Sequence, residues 1–324
     1  MYQRAHRAIG TARRMAALAA TCLLWATGAP TQAEEAANDP TPFCGNDGVW
    51  IQILGGGGPE LSDGQAGASY LVFLDGRARL LVDTAPGSSV GFDKAGGQFA
   101  DLDAIVFTHL HADHASDFPA YVKGSYFAGR DRLLPVLGPD GDGPYPDTVT
   151  FVDRLIGPEG AFAYLADFLT FRSSGGYKLS VRNVPASGRR EWSGFGSDHL
   201  KLSAVPVHHG PVPALAWRAE IGGMSIVFTG DFNNQKDLVG EFASGADALV
   251  IHHAVTENAR GEAADLHVTP GEIGRIAAEA DVRMVILGHR MTRTRGLESL
   301  SRQAIEESYD GPLIFANDLE CWGL

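Results

Sequence analysis

Five apolar stretches of this chain each end in histidine or aspartate, and that pattern restricts its fold more than any other feature. Ala104-Ile105-Val106-Phe107-Thr108 runs into His109-Leu110-His111-Ala112-Asp113-His114. Ala204-Val205-Pro206-Val207 runs into His208-His209, and Ser225-Ile226-Val227-Phe228-Thr229 into Gly230-Asp231. Leu249-Val250-Ile251 runs into His252-His253, and Met284-Val285-Ile286-Leu287-Gly288 into His289. Each predicts a buried strand, and the carboxyl ends of strands are where open α/β sheets place their ligand sites. Of 11 histidines, only His6 and His199 lie away from these ends and from the loop at His267, a clustering that random placement does not explain.

The rest of the chain fits the same class. Residues 49–54 predict a strand that runs into Gly55-Gly56-Gly57-Gly58-Pro59. Residues 70–74 and 78–83 predict a hairpin, because Asp75-Gly76 suits a tight two-residue turn. The stretch 135–147 predicts a Gly/Pro/Asp loop, and a helical period covers about 149–170. Thr269 is the expected N-cap of a helix that begins with Pro270, with Glu272 closing a capping box. The last third alternates strands and helices, and no internal repeat is evident. These elements predict one α/β domain over 34–324, with a loop-rich insert at about 117–200. The four glycines lack the lysine and Ser/Thr of a phosphate-binding loop, so close backbone packing beneath the site is expected of them.

Residues 1–33 stand apart. Arg4, Arg7, Arg13 and Arg14 precede an apolar run, then Ala29-Pro30-Thr31-Gln32-Ala33 leads into Glu34-Glu35. A basic start, short apolar middle and small-residue exit predict a secretory signal peptide cleaved after Ala33. The apolar run is shorter than the roughly 20 residues of a membrane span, so no anchor is expected after cleavage. Cys22 is a poor lipoprotein site, since apolar residues continue beyond it. Removing four arginines from 26 basic residues leaves 22 against 39 acidic ones, a formal charge of −17. Such a field repels long nucleic acid. A small-molecule ester is therefore the expected partner, and the expected location is periplasmic or secreted. Cys44 and Cys321, one near each end, are expected to pair in an oxidising compartment.

The His-x-His-x-Asp-His run is the chemical centre. Imidazole and carboxylate are the ligands of hydrolytic zinc. His109 and His111 can share one side of an extended segment and grip one metal, while the following turn lets Asp113 and His114 reach a second. Asp231 is the natural carboxylate to bridge the two cations, an arrangement that holds a nucleophilic hydroxide at neutral pH. Adjacent strand residues point to opposite faces, so one of His208 and His209 is expected to be a ligand. Asp83 is expected to orient a ligand histidine.

With these residues assembled, the chain resembles the metallo-β-lactamase superfamily along the whole segment after the leader. The resemblance rests on 54–59, Leu80-Leu81-Val82-Asp83, the run 109–114, His209, Gly230-Asp231 and His289. It implies a four-layer αβ/βα sandwich with two divalent metal ions, zinc first, at the sheet edges. His109, His111, His209 and Asp231 would hold the first, and Asp113, His114, Asp231 and His289 the second. Within the superfamily the chain is similar to the ribonuclease Z-like branch, which includes phosphodiesterases and arylsulfatases. The residues are Gly138-Pro139, the run His209-Gly210-Pro211-Val212-Pro213-Ala214-Leu215-Ala216-Trp217-Arg218, and His267.

By that resemblance His267 would protonate the leaving oxygen or stabilise the transition state, and Asp113 and His267 are the expected catalytic pair. Where the branch has His-Glu after a strand this chain has His252-His253, so either His253 partners His267 or the site serves another leaving group. The basic RNA-gripping arm of the branch is absent. These features predict an exported dinuclear hydrolase of a small phosphodiester or sulfate ester. A lactonase or other carboxyl-ester hydrolase on the same metals, and a non-catalytic metal-binding protein of the same fold, are the rival readings.

Overall fold

In a computed structural model of the chain, residues 45–171 and 176–324 are described. The leader at 1–33 and Cys44 lie outside them, so neither signal cleavage nor the Cys44–Cys321 pairing is part of the structural description. Among the described residues no helix is long and apolar enough to cross a membrane.

The period-two alternation of the apolar runs builds the architecture. The first sheet uses β1 (Val49–Gly55), β2 (Ser69–Leu74), β3 (Arg77–Val82), β4 (Ala104–Val106), β5 (Leu134–Pro139) and β6 (Leu179–Val184). The second uses β7 (Trp192–Gly196), β8 (Leu200–His209), β9 (Val212–Ile221), β10 (Met224–Phe228), β11 (Ala248–His252), β12 (Val285–Gly288) and β13 (Leu313–Phe315). β14 (Cys321–Gly323) returns to the first sheet, giving the orders β14-β1-β2-β3-β4-β5-β6 and β13-β12-β11-β10-β9-β8-β7. Each sheet is antiparallel on one side and parallel on the other: β3 to β6 pair in parallel, as do β10 to β13.

Strands buried on both faces need two partners. Along β10, Ile226 and Phe228 turn to a core shared by the two sheets, while Val227 turns outward. Leu80 and Val82 of β3 enter the same central core, and Leu81 faces the other way. The outer face of the first sheet is covered by α1 (Ser88–Lys94), the short turn α2 (Ala112–Ala115), α3 (Phe118–Ser125) and α4 (Thr148–Ile156). That of the second is covered by α5 (Val239–Phe242), α7 (Pro270–Glu279) and α8 (Glu298–Glu306), while the short α6 (Glu262–Leu266) buries no residue and lies at the end of β8. Three apolar cores between four layers make the expected αβ/βα sandwich.

Several local expectations hold and others do not. Asp75 and Gly76 have φ of 49° and 73° and join β2 to β3 as a two-residue turn. A Cβ on Gly55 would lie 2.1 Å from the Gly67 carbonyl oxygen, and one on Gly58 would lie 3.0 Å from the His289 ring, so the glycine run does pack tightly by the site. The loop-rich stretch 117–200 supplies β5 and β6 to one sheet and β7 to the other. Within the expected loop at 135–147, Val136 and Leu137 pair with β4, and the two prolines sit towards the strand ends where a missing N–H is tolerated. Of the helical period expected over 149–170, the α-helix stops at Ile156, because Gly157 precedes Pro158 and takes an extended ψ of 175°, and a short 3-10 helix over Ala163–Phe168 buries Leu165 and Phe168. Thr269 occupies the N-cap of α7 but its side chain makes no capping bond. Glu272 is drawn away to accept from Asn234 at 2.7 Å and to pair with Arg275.

Trp217 lies at the centre of the packing between sheets, fully buried, with Nε1–H donating to the Phe107 carbonyl at 2.9 Å across the interface. Trp217→Ala should cost roughly 3–5 kcal/mol of stability, read as a drop in the urea midpoint; a loss below about 1 kcal/mol would contradict this placement.

Candidate metal centre

The active edge is assembled from strand exits of both sheets. Asp83 follows β3, and His109 follows β4 after Phe107-Thr108; His111 begins the short turn α2, which carries Asp113 and His114. From the second sheet come His209 at the end of β8, Asp231 after β10, His252 ending β11 and His289 after β12. Three of these exits take left-handed backbone: Asp83 at φ 58°, Gly230 at 60° and His289 at 51°. At Gly230 a side chain is also excluded, since a Cβ would come within 2.6 Å of Thr108. A non-glycine residue held in this region costs of order 1–3 kcal/mol and marks a position the surroundings over-determine.

All seven expected ligands come together. Asp231 Oδ2 lies 3.6 Å from His289 Nε2, 3.7 Å from both His114 Nε2 and His209 Nε2, and 3.9 Å from His109 Nε2. Asp113 Oδ2 is 3.3 Å from His289 Nε2 and 3.6 Å from His114 Nε2. His109 Nε2 and His111 Nδ1 face each other at 3.1 Å, and with His209 they form one metal-competent group. His114, Asp231, His252 and His289 form a second.

The donor set fits cations better than it fits itself. His114 Nε2 and His209 Nε2 are buried without a hydrogen-bond partner although they point at the Asp231 oxygen. A buried unpaired polar atom costs about 1–3 kcal/mol, a penalty that a shared divalent ion would remove.

The outer partners fix ring orientation. His114 Nδ1–H donates to Asp83 Oδ2 at 2.8 Å, and the same oxygen accepts from Thr108 Oγ1 at 2.7 Å. Thr108 Oγ1 in turn lies 3.1 Å from His109 Nδ1, so Asp83 orients two ligand histidines, one directly and one through a hydroxyl. His209 Nδ1–H donates to the Leu266 carbonyl at 3.0 Å and its Nε2 faces Asp231, whereas His208 bonds to Asn233.

Electrostatics follow from burial. Burial raises the Asp231 carboxyl, but the surrounding imidazoles, His289 first, more than reverse this and hold it well below the usual range. Burial lowers His109, His111 and His209, leaving them neutral and ready to ligate. Burial also lowers His114, but the nearby carboxylates of Asp231 and Asp83 outweigh it and raise its pKa when no cation is present.

Two histidines depart from expectation. His253 does not partner His267: its Nε2 meets Ser301 of α8 at 2.8 Å, on the outer face of the sheet. Its neighbour His252 takes part in the centre instead, with Nδ1 2.6 Å from Asp231 Oδ1 and its ring stacked 4.9 Å from His289. The sequence signal was its place at a strand end; which of two adjacent histidines faces inward depends on sheet register. His267 sits with Nδ1 3.7 Å from Asp231 Oδ1, between His209 and His289.

A family model described as "Beta-lactamase superfamily domain" matches residues 78–290, a span that contains every residue of this centre. The chain belongs to the metallo-β-lactamase superfamily. It is 30% identical over 301 residues to ribonuclease Z of Haloferax volcanii, covering 82% of this chain and 92% of that protein, which places it in the ribonuclease Z-like branch. Among solved structures, the metallo-β-lactamase fold protein YhfI of Bacillus subtilis superposes with a TM-score of 0.66 at 20% identity, over 85% of this chain and 99% of that one. A diphosphatase of the PhnP family superposes with a TM-score of 0.61 at 19% identity, over 85% and 97%. The superfamily member described here is a metal-dependent hydrolase of that fold.

Asp83→Ala should leave two ligand rings unoriented and lower zinc affinity by about 10–100-fold, measured by competition with a chromogenic chelator. Unchanged affinity would show that Asp83 does not tune the centre.

Proposed function

We propose that this chain is an exported hydrolase that holds two divalent cations, zinc first, and cleaves a small phosphodiester or sulfate ester. The observation that carries the reading is the convergence of four imidazole Nε2 atoms on one oxygen of Asp231 at 3.6–3.9 Å, two of them otherwise unpaired. His109, His111 and His209 would hold one cation and Asp113, His114 and His289 the other, with Asp231 shared. Such a pair supplies Lewis-acid activation of water at neutral pH and offsets negative charge that grows on the transferring group.

The chain's own residues do the rest. Burial would raise the Asp113 carboxyl, but the hydrogen bond from His289 and the nearby His114 hold it below the usual carboxylate range, so it is ionised and able to accept a proton. Burial holds His267 down to about 3, so its imidazole is neutral at pH 7. A neutral ring serves as a hydrogen-bond donor to a developing oxyanion rather than as a proton source, which supports the stabilising role over leaving-group protonation.

Phosphodiester and sulfate-ester substrates share a tetrahedral, singly charged centre suited to this arrangement, and the ribonuclease Z relatives favour the former. Long RNA is disfavoured by 39 acidic against 26 basic residues. Export is supported by the basic, apolar and small-residue order of 1–33.

The deciding experiment combines metal analysis, before and after chelation, with chromogenic phosphodiester, sulfate and lactone substrates. About two equivalents of metal and a chelator-sensitive turnover of the phosphodiester or sulfate are expected. Turnover of the lactone alone, or activity indifferent to chelation, would overturn the reading. Asp231→Ala should remove both metal and activity. His267→Ala should keep the metal while kcat falls on the order of 10²–10³-fold.

A further inference from the structure

Beside the metal centre lies a cavity of about 390 Å³. Its walls come from the loops after β5 and β6, the β8–β9 hairpin and the loop after β10, and its polar lining includes Asp140, Asp142, His208 and Lys236. Its link to the centre runs along the chain: His208 precedes His209, and its Nδ1 lies 3.1 Å from Oδ1 of Asn233, two residues past Asp231. We infer that this cavity binds a hydroxyl-rich group of the substrate, a sugar ring or short polyol. The inference rests on the hydrolase reading above and names its substrate class.

The tautomer of His208 is the first argument. Asn233 Oδ1 also accepts from the Gln235 N–H at 3.1 Å, while its Nδ2 donates to the Asp265 carbonyl, so the amide orientation is fixed. His208 must therefore donate through Nδ1. Asp140 Oδ1 accepts from the Ala186 N–H at 2.8 Å, leaving its second oxygen as another acceptor.

Lys236 supplies the donor. Its ammonium spends one hydrogen on the Ala186 carbonyl at 3.2 Å, and its backbone carbonyl is held by Arg189. Burial and then Arg189 lower the Lys236 pKa, with Asp140 opposing.

Two carboxylates and one ammonium make a lining that opposes a second anionic group. The lining also contains no phenylalanine, tyrosine or tryptophan ring on which an aryl group could stack. Acceptors and a donor set around small glycine and proline walls match hydroxyl groups, which both give and take hydrogen bonds.

The test compares the p-nitrophenyl ester of uridine 5′-phosphate with bis-p-nitrophenyl phosphate on the metal-loaded protein. In His208→Phe and in Lys236→Ala, the ratio of kcat/KM for the first over the second should fall tenfold or more. A ratio within twofold of the unaltered protein's in both variants would overturn the subsite. Should the unaltered protein turn over neither ester, the phosphodiesterase form of the hydrolase reading fails, and the subsite is judged by binding alone. Saturation-transfer NMR with methyl β-D-ribofuranoside and with glycerol serves there and separates a ring from an open polyol. Signal from either that is lost in Lys236→Ala supports the cavity, and no signal from both overturns it.

Discussion

The buried carboxylate of Asp231 is the point on which both halves of the molecule depend. An ionised carboxylate removed from water costs several kcal/mol unless it is paired. Here the compensation comes from imidazoles carried by strand exits of both sheets, so the charge is stable only while the two edges stay in register. The shared apolar core sets that register. Trp217 and Phe228 from one sheet, and Ile53 and Val82 from the other, interdigitate beneath the site and hold the strand ends at a fixed separation.

The cost of this arrangement is visible at the same edge. Asp83 and His289 accept left-handed backbone, and several ring nitrogens are buried without partners. Neither feature stabilises a protein that has nothing to bind. Both are what a preorganised ligand cage looks like, with side chains aimed at a shared point before anything occupies it. The bonds from Asp83 to His114 and through Thr108 to His109 keep the rings from turning to satisfy themselves elsewhere.

Much of this could be read in advance because burial on both faces leaves a plain mark: continuous apolar runs whose first polar residues must lie at the sheet edge. His109, Asp231 and His289 were legible for that reason, and so was the Asp75-Gly76 turn. What escaped was whatever depended on neighbours distant in sequence. β5 looks like a loop until β4 and β6 pair on either side of it. The choice between His252 and His253 turns on which face of β11 meets β10 and β12, and sequence period alone cannot orient that face. Glu272 could have capped α7, yet Asn234, far away in the chain, takes its carboxylate.

The place of His253 bears on the chemistry of its neighbours. With that ring turned to Ser301, Asp231 is the one carboxylate within 4.0 Å of His267 among the described residues. Asp231 is itself shared with five other imidazoles, so it cannot raise His267 towards neutral pH against the effect of burial. Cations held by His209 and His289, whose rings lie 5.5 and 5.8 Å from that of His267, would push it further in the same direction. General acid catalysis needs a group that titrates near the working pH. In the proposed reaction, then, His267 contributes a directed hydrogen bond. Most of the stabilisation of a departing oxygen must fall to the charge of the centre itself, which ties rate to metal occupancy more tightly than in a site with a separate proton donor.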